Sequence, residues 1–552
     1  MILFWGAGDR AFAQCATPAA SADRLANRLG AAVRKAALFL LLFLVAACGG
    51  GDSGSPGGGP VISVGGPPVL RSVTITPANP VAILATGLQL HATGTYSDGT
   101  TSDLTTSVFW ESSSSLIAIV RADGALTPAA IGSATITASI NGVSTSTTLT
   151  VQAAPVTLTT LHDFRPGDPG QPDVPGAFIQ ASDGNFYGAA QGGPNQCRQP
   201  NTFPCGSIFK VTPSGQVTLF HAFGTSPTDG FSPAGLTQGS DGALYGTTDN
   251  GGTFGGGTVF RIALDGTYST LYSFGASPTD GVVPGALIQA NDGNLYGLTS
   301  SGGANHCDNI PQAGPNCGTV FRLTPGGVET VLYSFGASPS DGSEPTALIQ
   351  AKDGNFYGTT LNGGANACGD PADTHSCGTV FKLTPAGVET ILHSFGASLT
   401  DGVGAQGAFF QGSDGAFYGA TASGGGACTP VGCGTVFRIT ATGDETVLYA
   451  FRNLSSSDGN GPWSLIQGKD GNFYGTTSSG GAFCDSLCGT VFRLTPSGDE
   501  TVLYSFGPLN DKPAHPGQLI QGRDDAFYGI TAFSGGGITT TGFGTVYKLV
   551  LQ

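Results

Sequence analysis

The stretch ALIQAKDGNFYGTT, residues 347–360, decides the fold of most of this 552-residue chain. A short apolar run leads into an Asp-Gly turn, and an aromatic–Tyr–Gly step then opens a threonine-containing strand. The same order of parts occurs seven times between residues 155 and 552, and its shared tyrosines are Tyr187, Tyr245, Tyr296, Tyr357, Tyr418, Tyr474 and Tyr528. A unit of roughly fifty residues cannot bury its own apolar face, so the sequence predicts copies that stack on one another.

Each copy contains four candidate strands, which is typical of a propeller blade. In the fourth copy they are residues 347–350, 356–360, 378–383 and 389–395. The last copy ends after its third strand, at 544–549, whereas an additional fourth strand, 158–164, precedes the first copy. Pairing these two segments removes two sheet edges. The sequence therefore predicts an all-β fold with a seven-bladed β-propeller, closed by its N-terminal strand, over residues 155–552.

This combination of motifs strongly resembles the bacterial GloVer tandem repeat, and the resemblance covers nearly all of 155–552. GloVer repeats occur in extracellular proteins with varied anchors, the choice-of-anchor proteins. The resemblance implies an exported protein with this repeat architecture. It supplies no catalytic residues.

The N-terminal segment reads as an export signal with a lipid anchor. Arg34 and Lys35 precede an apolar run, 36–47, that is too short to span a bilayer but suits a signal peptide. Its end, LVAAC, resembles the lipobox of bacterial lipoproteins, which implies diacylation of Cys48 and cleavage before it. Residues 1–48 are thus the expected signal, with translation starting near residue 33 as an alternative. In Gram-negative lipoproteins, an aspartate directly after the lipidated cysteine favours retention in the inner membrane. Because Gly49 stands at that position here, the expected location is the outer membrane or cell surface.

Two segments separate this anchor from the repeats. Residues 49–69 are rich in Gly, Ser and Pro and are expected to form a flexible tether. Residues 70–153 contain short alternating strands and a hairpin turn at 97–100. The order of these motifs resembles the group 2 bacterial immunoglobulin-like domain, which implies a β-sandwich that acts as a spacer. We expect Trp110 in its core and a structural role for His91.

Ten of the twelve cysteines lie in the loops between the second and third strands of a repeat. The pairs are Cys197/Cys205, Cys307/Cys317, Cys368/Cys377, Cys428/Cys433 and Cys484/Cys488. The second and seventh repeats lack both members, which is what covalent pairing in an exported protein predicts. The alternative is zinc, but a loop offers two thiols and one histidine at most, His306 or His375, whereas a structural zinc site needs four ligands.

Catalytic motifs are missing from the sequence, and no cofactor is expected. The formal charge of −16 argues against a nucleic-acid partner. Five acidic residues follow the fourth strands as candidate cation ligands, with turn residues as the favoured interpretation: Asp229, Asp280, Asp341, Asp401 and Asp458. Trp463, which the sequence places in the sixth crossover, is a candidate sugar-stacking residue, with packing as the favoured interpretation because a lone tryptophan more often packs. His162, His221 and His393 occupy a position that is tyrosine in other repeats, so we interpret them as packing residues.

Variable loops and crossovers should share one face, and variation in repeat proteins collects on the binding face. The favoured hypothesis is a non-enzymatic surface lipoprotein whose propeller binds a glycan, polymer or protein partner at that face. This lipoprotein is expected to bind the membrane through the lipid anchor on Cys48. The alternative is a surface carbohydrate-active enzyme, a hydrolase or lyase, which rests on fold analogy alone. A purely structural envelope component is a third hypothesis. Two carboxylates in one pocket would favour the enzyme.

Overall fold

The computed structural model divides into two compact units, Met1–Pro67 and Pro68–Gln552. It describes residues 67–83, 88–152, 156–165, 168, 175–197, 203–226, 228–307, 317–338, 340–366, 377–426, 432–452, 458–481, 488–507, 514–533 and 544–551. All regular elements in these ranges are strands, and none of the described residues forms a helix long and apolar enough to cross a membrane. The expected signal, Cys48 and nearly all of the tether lie outside the described residues.

The segment after the tether folds into ten strands in three sheets. The sheets are Leu70–Thr76, His91–Tyr96 and Thr101–Asp103; Val81–Ile83, Val143–Gln152, Gly132–Ile140 and Phe109–Ser112; and Leu88–Gln89, Ala125–Pro128 and Ala118–Val120. Alternating residues of these strands enclose one apolar core. Trp110 lies in that core and donates its indole N–H to the carbonyl oxygen of Thr105 at 2.8 Å, whereas the His91 side chain is exposed.

The repeats form seven antiparallel four-stranded sheets within the described part of 156–551, which we number 1 to 7 along the chain. Their first strands are Pro175–Gln180, Gly230–Gln238, Gly281–Gln289, Gly342–Gln350, Gly402–Gln411, Asn460–Gln467 and Ala514–Gln521. Their second strands are Phe186–Ala190, Leu244–Gly251, Leu295–Gly302, Phe356–Gly363, Phe417–Gly424, Phe473–Ser479 and Phe527–Phe533.

The third and fourth strands of each sheet are equally regular. The third strands are Ser207–Val211, Thr258–Ile262, Thr319–Leu323, Thr379–Leu383, Thr435–Ile439, Thr490–Leu494 and Thr545–Leu551. The fourth strands of sheets 1 to 6 are Val217–Ala222, Tyr268–Ser273, Glu329–Ser334, Glu389–Ser394, Glu445–Ala450 and Glu500–Ser505. A small hairpin, Gln196–Cys197 with Phe203–Pro204, lies in a loop of sheet 1.

Sheet 7 takes its fourth strand from the start of the repeat region. Val156–Asp163 pairs antiparallel with Thr545–Leu551, from Val156 opposite Leu551 to Asp163 opposite Thr545. The strand pairing predicted from the unequal ends of the first and last copies is therefore present. It gives the third strand of sheet 7 a hydrogen-bonded neighbour on both sides.

A glutamine at the end of each first strand joins neighbouring sheets. In sheet 4, the Gln350 side chain donates to the Gly354 carbonyl of its own turn at 3.1 Å and accepts from the Asn291 backbone N–H of sheet 3 at 2.8 Å. The same inter-sheet bond recurs at Gln238, Gln289, Gln411, Gln467 and Gln521. Gln180 of sheet 1 then accepts from Arg523 of sheet 7 at 3.0 Å, so the series returns to its first sheet.

Side-chain packing explains the recurrent Tyr–Gly step, which follows a phenylalanine in five repeats and a leucine in two. The Tyr357 hydroxyl donates to the Asp353 carboxylate of the turn at 2.9 Å, and its ring stacks on Phe417 of the next sheet with 4.1 Å between centroids. Gly358 lies under the ring of Phe381, so closely that a Cβ placed there would stand 2.4 Å from that ring. Sheets 7 and 1 meet through the corresponding pair, Tyr528 and Phe186, at 4.3 Å. The step thus specifies both the turn and the contact between sheets.

Candidate functional site

The five crossover aspartates are buried, with 4–6% of each residue exposed. Each follows the fourth strand of its sheet and helps to build the turn there. The Asp280 carboxylate, for example, accepts from the backbone N–H groups of Gly275 and Ala276 at 2.8 and 3.0 Å. Backbone capping of this kind is ordinary aspartate turn chemistry, as the sequence interpretation held.

The same carboxylates also face an aromatic side chain of the fourth strand. Tyr272, Tyr333 and Tyr449 donate their hydroxyls to Asp280, Asp341 and Asp458 at 3.1, 2.8 and 2.7 Å. Histidine takes this place in two other sheets, where His221 Nε2 lies 3.7 Å from Asp229 and His393 Nε2 lies 3.4 Å from Asp401. His162 pairs similarly with Asp168 at 3.2 Å.

The histidines therefore do more than the sequence analysis assigned to them. Their rings pack edge-on against the phenylalanine two residues later, as His393 does against Phe395 with 5.0 Å between centroids, which confirms the packing role. Their ring nitrogens additionally approach a buried carboxylate. Position along the strand alone indicated the packing, but it gave no sign of a carboxylate that arrives from the crossover.

A glutamate from the next sheet completes four of these clusters. We call them the interface triads: Tyr272–Asp280–Glu329, Tyr333–Asp341–Glu389, His393–Asp401–Glu445 and Tyr449–Asp458–Glu500. Burial, followed by the charge of the neighbouring aspartate, raises the pKa of Glu329, Glu389 and Glu445 to about 7 and that of Glu500 to about 8. One carboxyl oxygen of each glutamate is buried without a hydrogen-bond partner. The triads are thus places where acidic groups are held in a poorly solvated contact between sheets.

The contact between sheets 1 and 2 carries a variation of the same arrangement. Tyr268 occupies the position of the glutamate, and its ring stacks on His221 with 4.1 Å between centroids. Although burial acts to raise the pKa of Asp229, the nearby His221 and Tyr268 side chains hold it below its usual value. Here an acid pair is replaced by one carboxylate with two aromatic partners.

The part that these glutamates play in the triads was not predicted from the sequence. They were assigned only to the apolar fourth strand, although a glutamate recurs at the first position of that strand in sheets 3 to 6. In a chain with only 11% charged residues, this recurrence was the available signal. What it could not indicate is that the partner aspartate comes from the preceding sheet.

One triad groups three metal-ligating side chains. The ligand atoms of His393, Asp401 and Glu445 all lie within 4.8 Å of one another. Within the described ranges no other group of three His, Cys, Asp or Glu side chains is as compact. The five aspartates are therefore not gathered around one ion, since each lies at a different contact between neighbouring sheets.

A separate cavity of about 440 Å³ lies where first strands of sheets 1, 2, 5, 6 and 7 converge. Small and apolar residues such as Ala177, Leu236, Ala408 and Leu519 line it, together with Trp463. Trp463 is 44% exposed and lies within the first strand of sheet 6, not in the crossover before it. Its indole is thus available to a ligand, while none of the described lining residues is acidic.

Disulfides close the variable loops and pack against the crossovers. The bridges Cys197–Cys205 and Cys307–Cys317 are formed as predicted, and Cys377, Cys433 and Cys488 are also disulfide-bonded. Their predicted partners, Cys368, Cys428 and Cys484, lie outside the described residues. Gly336 of the crossover lies against Cys317, because a Cβ there would stand 2.2 Å from its sulfur. Parts of the predicted loop face, including residues 308–316, 367–376 and 482–487, lie outside the described ranges.

Comparison with known proteins places this architecture in a family. The Gloeobacter/Verrucomicrobia repeat matches residues 136–311, 197–428 and 370–552. The chain belongs to the Gloeobacter/Verrucomicrobia repeat family. Ahead of these repeats, the bacterial Ig-like domain (group 2) matches residues 69–151, in agreement with the sandwich predicted over 70–153.

Individual relatives of this Gloeobacter/Verrucomicrobia repeat protein are partial or distant. Ice-binding protein 1 from Shewanella frigidimarina (strain NCIMB 400) is 51% identical over 87 residues, which is 15% of this chain and 10% of that protein. The chain thus spans about a tenth of that curated relative.

Solved structures show only a loose likeness. The extracellular domain of a one component system from B. thetaiotaomicron gives a TM-score of 0.44 at 11% identity, over 89% of this chain and 58% of that one. A gluconolactonase from Xanthomonas campestris gives 0.34 at 12%, over 72% and 90%. A luciferin-regenerating enzyme gives 0.35 at 13%, over 58% and 91%. These likenesses are too distant to indicate an activity.

Proposed function

We propose that the repeat region is a closed seven-bladed propeller that acts as a non-enzymatic, extracellular platform for binding a glycan, polymer or protein partner. Closure is supported by the glutamine series, in which the turn of sheet 7 hydrogen-bonds back to Gln180 of sheet 1. It is also supported by the cavity, which collects first strands of sheets that are far apart in sequence.

The observation that carries the platform function is the separation of acidic groups from the cavity. The described carboxylate pairs are buried between sheets and recur four times, whereas the described lining of the cavity offers an exposed indole and no acid. Glycoside hydrolysis needs two carboxyl groups that flank the scissile bond. An aromatic face among small residues instead suits stacking on a sugar ring or another apolar ligand surface.

We further propose that the protein is exported and held at the cell envelope, in the outer membrane or at the cell surface, by a lipid on Cys48. Disulfides persist in oxidising compartments, so the bridged cysteines support export. Cys48→Ala is expected to abolish labelling by a fatty-acid probe and to release the protein from the membrane fraction. Unchanged fractionation of this variant would contradict the anchor.

The platform is tested by applying a chain that starts at residue 49, and so lacks the lipidated Cys48, to a glycan array and by following the same glycans for hydrolysis or elimination products. Trp463→Ala should weaken binding about tenfold or more, which corresponds to about 1.4 kcal/mol. The matched control is Phe109→Ala, because Phe109 is also an exposed aromatic, at 68%, but lies in the Ig-like segment. Release of products would replace the platform with the carbohydrate-active enzyme, and equal binding by all three proteins would exclude the cavity.

A further inference from the structure

We propose that His393, Asp401 and Glu445 bind a divalent transition-metal ion, with zinc as the best match to the ligand set, between sheets 4 and 5. His393 lies on the fourth strand of sheet 4, Asp401 in the crossover that follows, and Glu445 at the start of the fourth strand of sheet 5. An ion at this place would be ligated from both sheets. It is a function separate from the cavity and does not depend on the proposed platform.

The His393–Asp401 distance matches such an ion, and Glu445 lies near enough for its carboxylate to move in. Zinc binds histidine nitrogen and carboxylate oxygen at about 2.0–2.2 Å, so adjacent ligands of a tetrahedral site lie about 3.4 Å apart. His393 Nε2 lies 3.4 Å from Asp401 Oδ2, and the Glu445 oxygen lies within 4.8 Å of both. The first distance is long for an N–H···O hydrogen bond, which favours 2.7–3.2 Å.

Two buried polar atoms of this triad have no hydrogen-bond partner. His393 Nε2 and one carboxyl oxygen of Glu445 are buried and form no hydrogen bond. Buried polar atoms are normally paired, and an orphaned one requires an explanation, such as an ion at the site. A dication between two carboxylates and a neutral imidazole would satisfy these atoms and offset two buried negative charges.

The remaining ligand is held in place by the backbone. The Asp401 carboxylate accepts from the N–H groups of Ala397 and Gly402 at 3.0 and 2.7 Å. The His393 ring is fixed by its edge-on contact with Phe395. Such outer contacts orient metal ligands before the ion binds.

Neighbouring sheets provide internal controls, because they share the arrangement but lack one ligand. Between sheets 3 and 4, Tyr333 replaces the histidine, and its hydroxyl closes the cluster by donating to Asp341 at 2.8 Å. Between sheets 1 and 2, Tyr268 replaces the glutamate. Tyrosine is thus accommodated at either position by this fold, so His393→Tyr and Glu445→Tyr are conservative ways to remove one ligand.

The test is a zinc titration of the chain that starts at residue 49 and lacks the lipidated Cys48, stripped with EDTA, by isothermal calorimetry and thermal unfolding. We expect one zinc ion per chain and a rise in Tm with added zinc. His393→Tyr and Glu445→Tyr should each weaken binding at least about 100-fold and remove the Tm shift. Zinc K-edge absorption should show nitrogen and oxygen ligands without sulfur, which separates this site from the cysteine-containing loops.

A gain-of-site variant makes the test two-sided. Tyr333→His introduces the missing ligand beside Asp341 and Glu389, so zinc stoichiometry should rise from one to two. If His393→Tyr unfolds, this gain and the absorption spectrum still decide the proposal. It would be overturned by an unchanged affinity in the ligand variants, by sulfur ligation, or by absence of zinc binding to the native chain, in which case His393 simply pairs with the two acids.

Discussion

The Asp-Gly turn end and the crossover end of each sheet differ in how completely their carboxylates are hydrogen-bonded. At the turn end of sheet 4, the Asp353 carboxylate accepts from Tyr357 and Asn355 at 2.9 and 2.8 Å, and Gln350 joins the turn to the preceding sheet. At the crossover end, the triads contain buried oxygens without a partner. The turn end therefore specifies the fold, and the crossover end holds the groups that remain available for chemistry.

The largest effect is expected from glycines at the turn end. Gly358→Ala should destabilise the protein by about 3 kcal/mol or more, because its Cβ would stand 2.3 Å from the Ala347 carbonyl oxygen and 2.4 Å from the Phe381 ring. Gly354→Ala is the control, since nothing lies within 4 Å and only its positive φ of 82° opposes alanine, at about 1–2 kcal/mol. Equal losses in guanidinium unfolding would refute the close-packing explanation.

Removing a disulfide should have the next largest effect, at the other end. The double variant Cys307→Ala/Cys317→Ala opens a loop with a sequence separation of 10, for which the chain-entropy model gives about 2–3 kcal/mol. Hydrogen exchange should rise around Gly336, which packs on this bridge. The loop of sheet 2 has no cysteines and provides the control, because its exchange should stay unchanged. Faster exchange there as well would mean that the bridge acts globally.

The glutamine bonds should contribute less for each residue. Gln350→Ala removes a bond within its own turn and a bond to sheet 3, and it leaves the Asn291 N–H without its acceptor. Net hydrogen bonds contribute about 0.5–1.5 kcal/mol each, so we expect a loss of about 1–2 kcal/mol in urea unfolding. Gln350→Glu keeps the acceptor and should lose less. A larger loss in Gln350→Glu than in Gln350→Ala would contradict the role of the inter-sheet bond.

The smallest effect is a dependence of stability on pH at the crossover end. Because burial raises the folded-state pKa of Glu329 and Glu389 to about 7, from an ordinary value of 4.5, the folded state binds more protons between these values. The contribution of these two glutamates to the free energy of unfolding is therefore full below about pH 4.5 and is lost as the pH rises through 7. After allowance for solvent screening, we expect on the order of 1 kcal/mol for each glutamate.

Substitution of the same glutamates provides the check. Glu329→Gln faces Asp280 and Tyr272 with a neutral amide, so the fall in unfolding free energy between pH 4.5 and 7 should become smaller. Glu389→Gln, opposite Asp341 and Tyr333, should act in the same direction. A profile as steep as that of the unsubstituted protein would show that the two glutamates titrate normally.

The sequence predicted the turn end far better than the crossover end. Period-two strands, the Asp-Gly turn and the Tyr357–Gly358 step are local patterns, and local patterns determine which side chains a sheet presents. The unequal first and last copies also predicted the pairing of Val156–Asp163 with Thr545–Leu551. The role of Gln350 and the triads depends on the neighbouring sheet, whose register with the first sheet cannot be read from one repeat.

The strand Val156–Asp163 has a consequence for how this protein is made. Its partner, Thr545–Leu551, comes after every other strand of the seven sheets, so the pairing must await synthesis and export of all the residues between the two segments. Until then the N-terminal strand has an open edge that other chains can join, which is a risk for aggregation. Nascent chains that stall before residue 545 are thus expected to be the form most in need of chaperones during export.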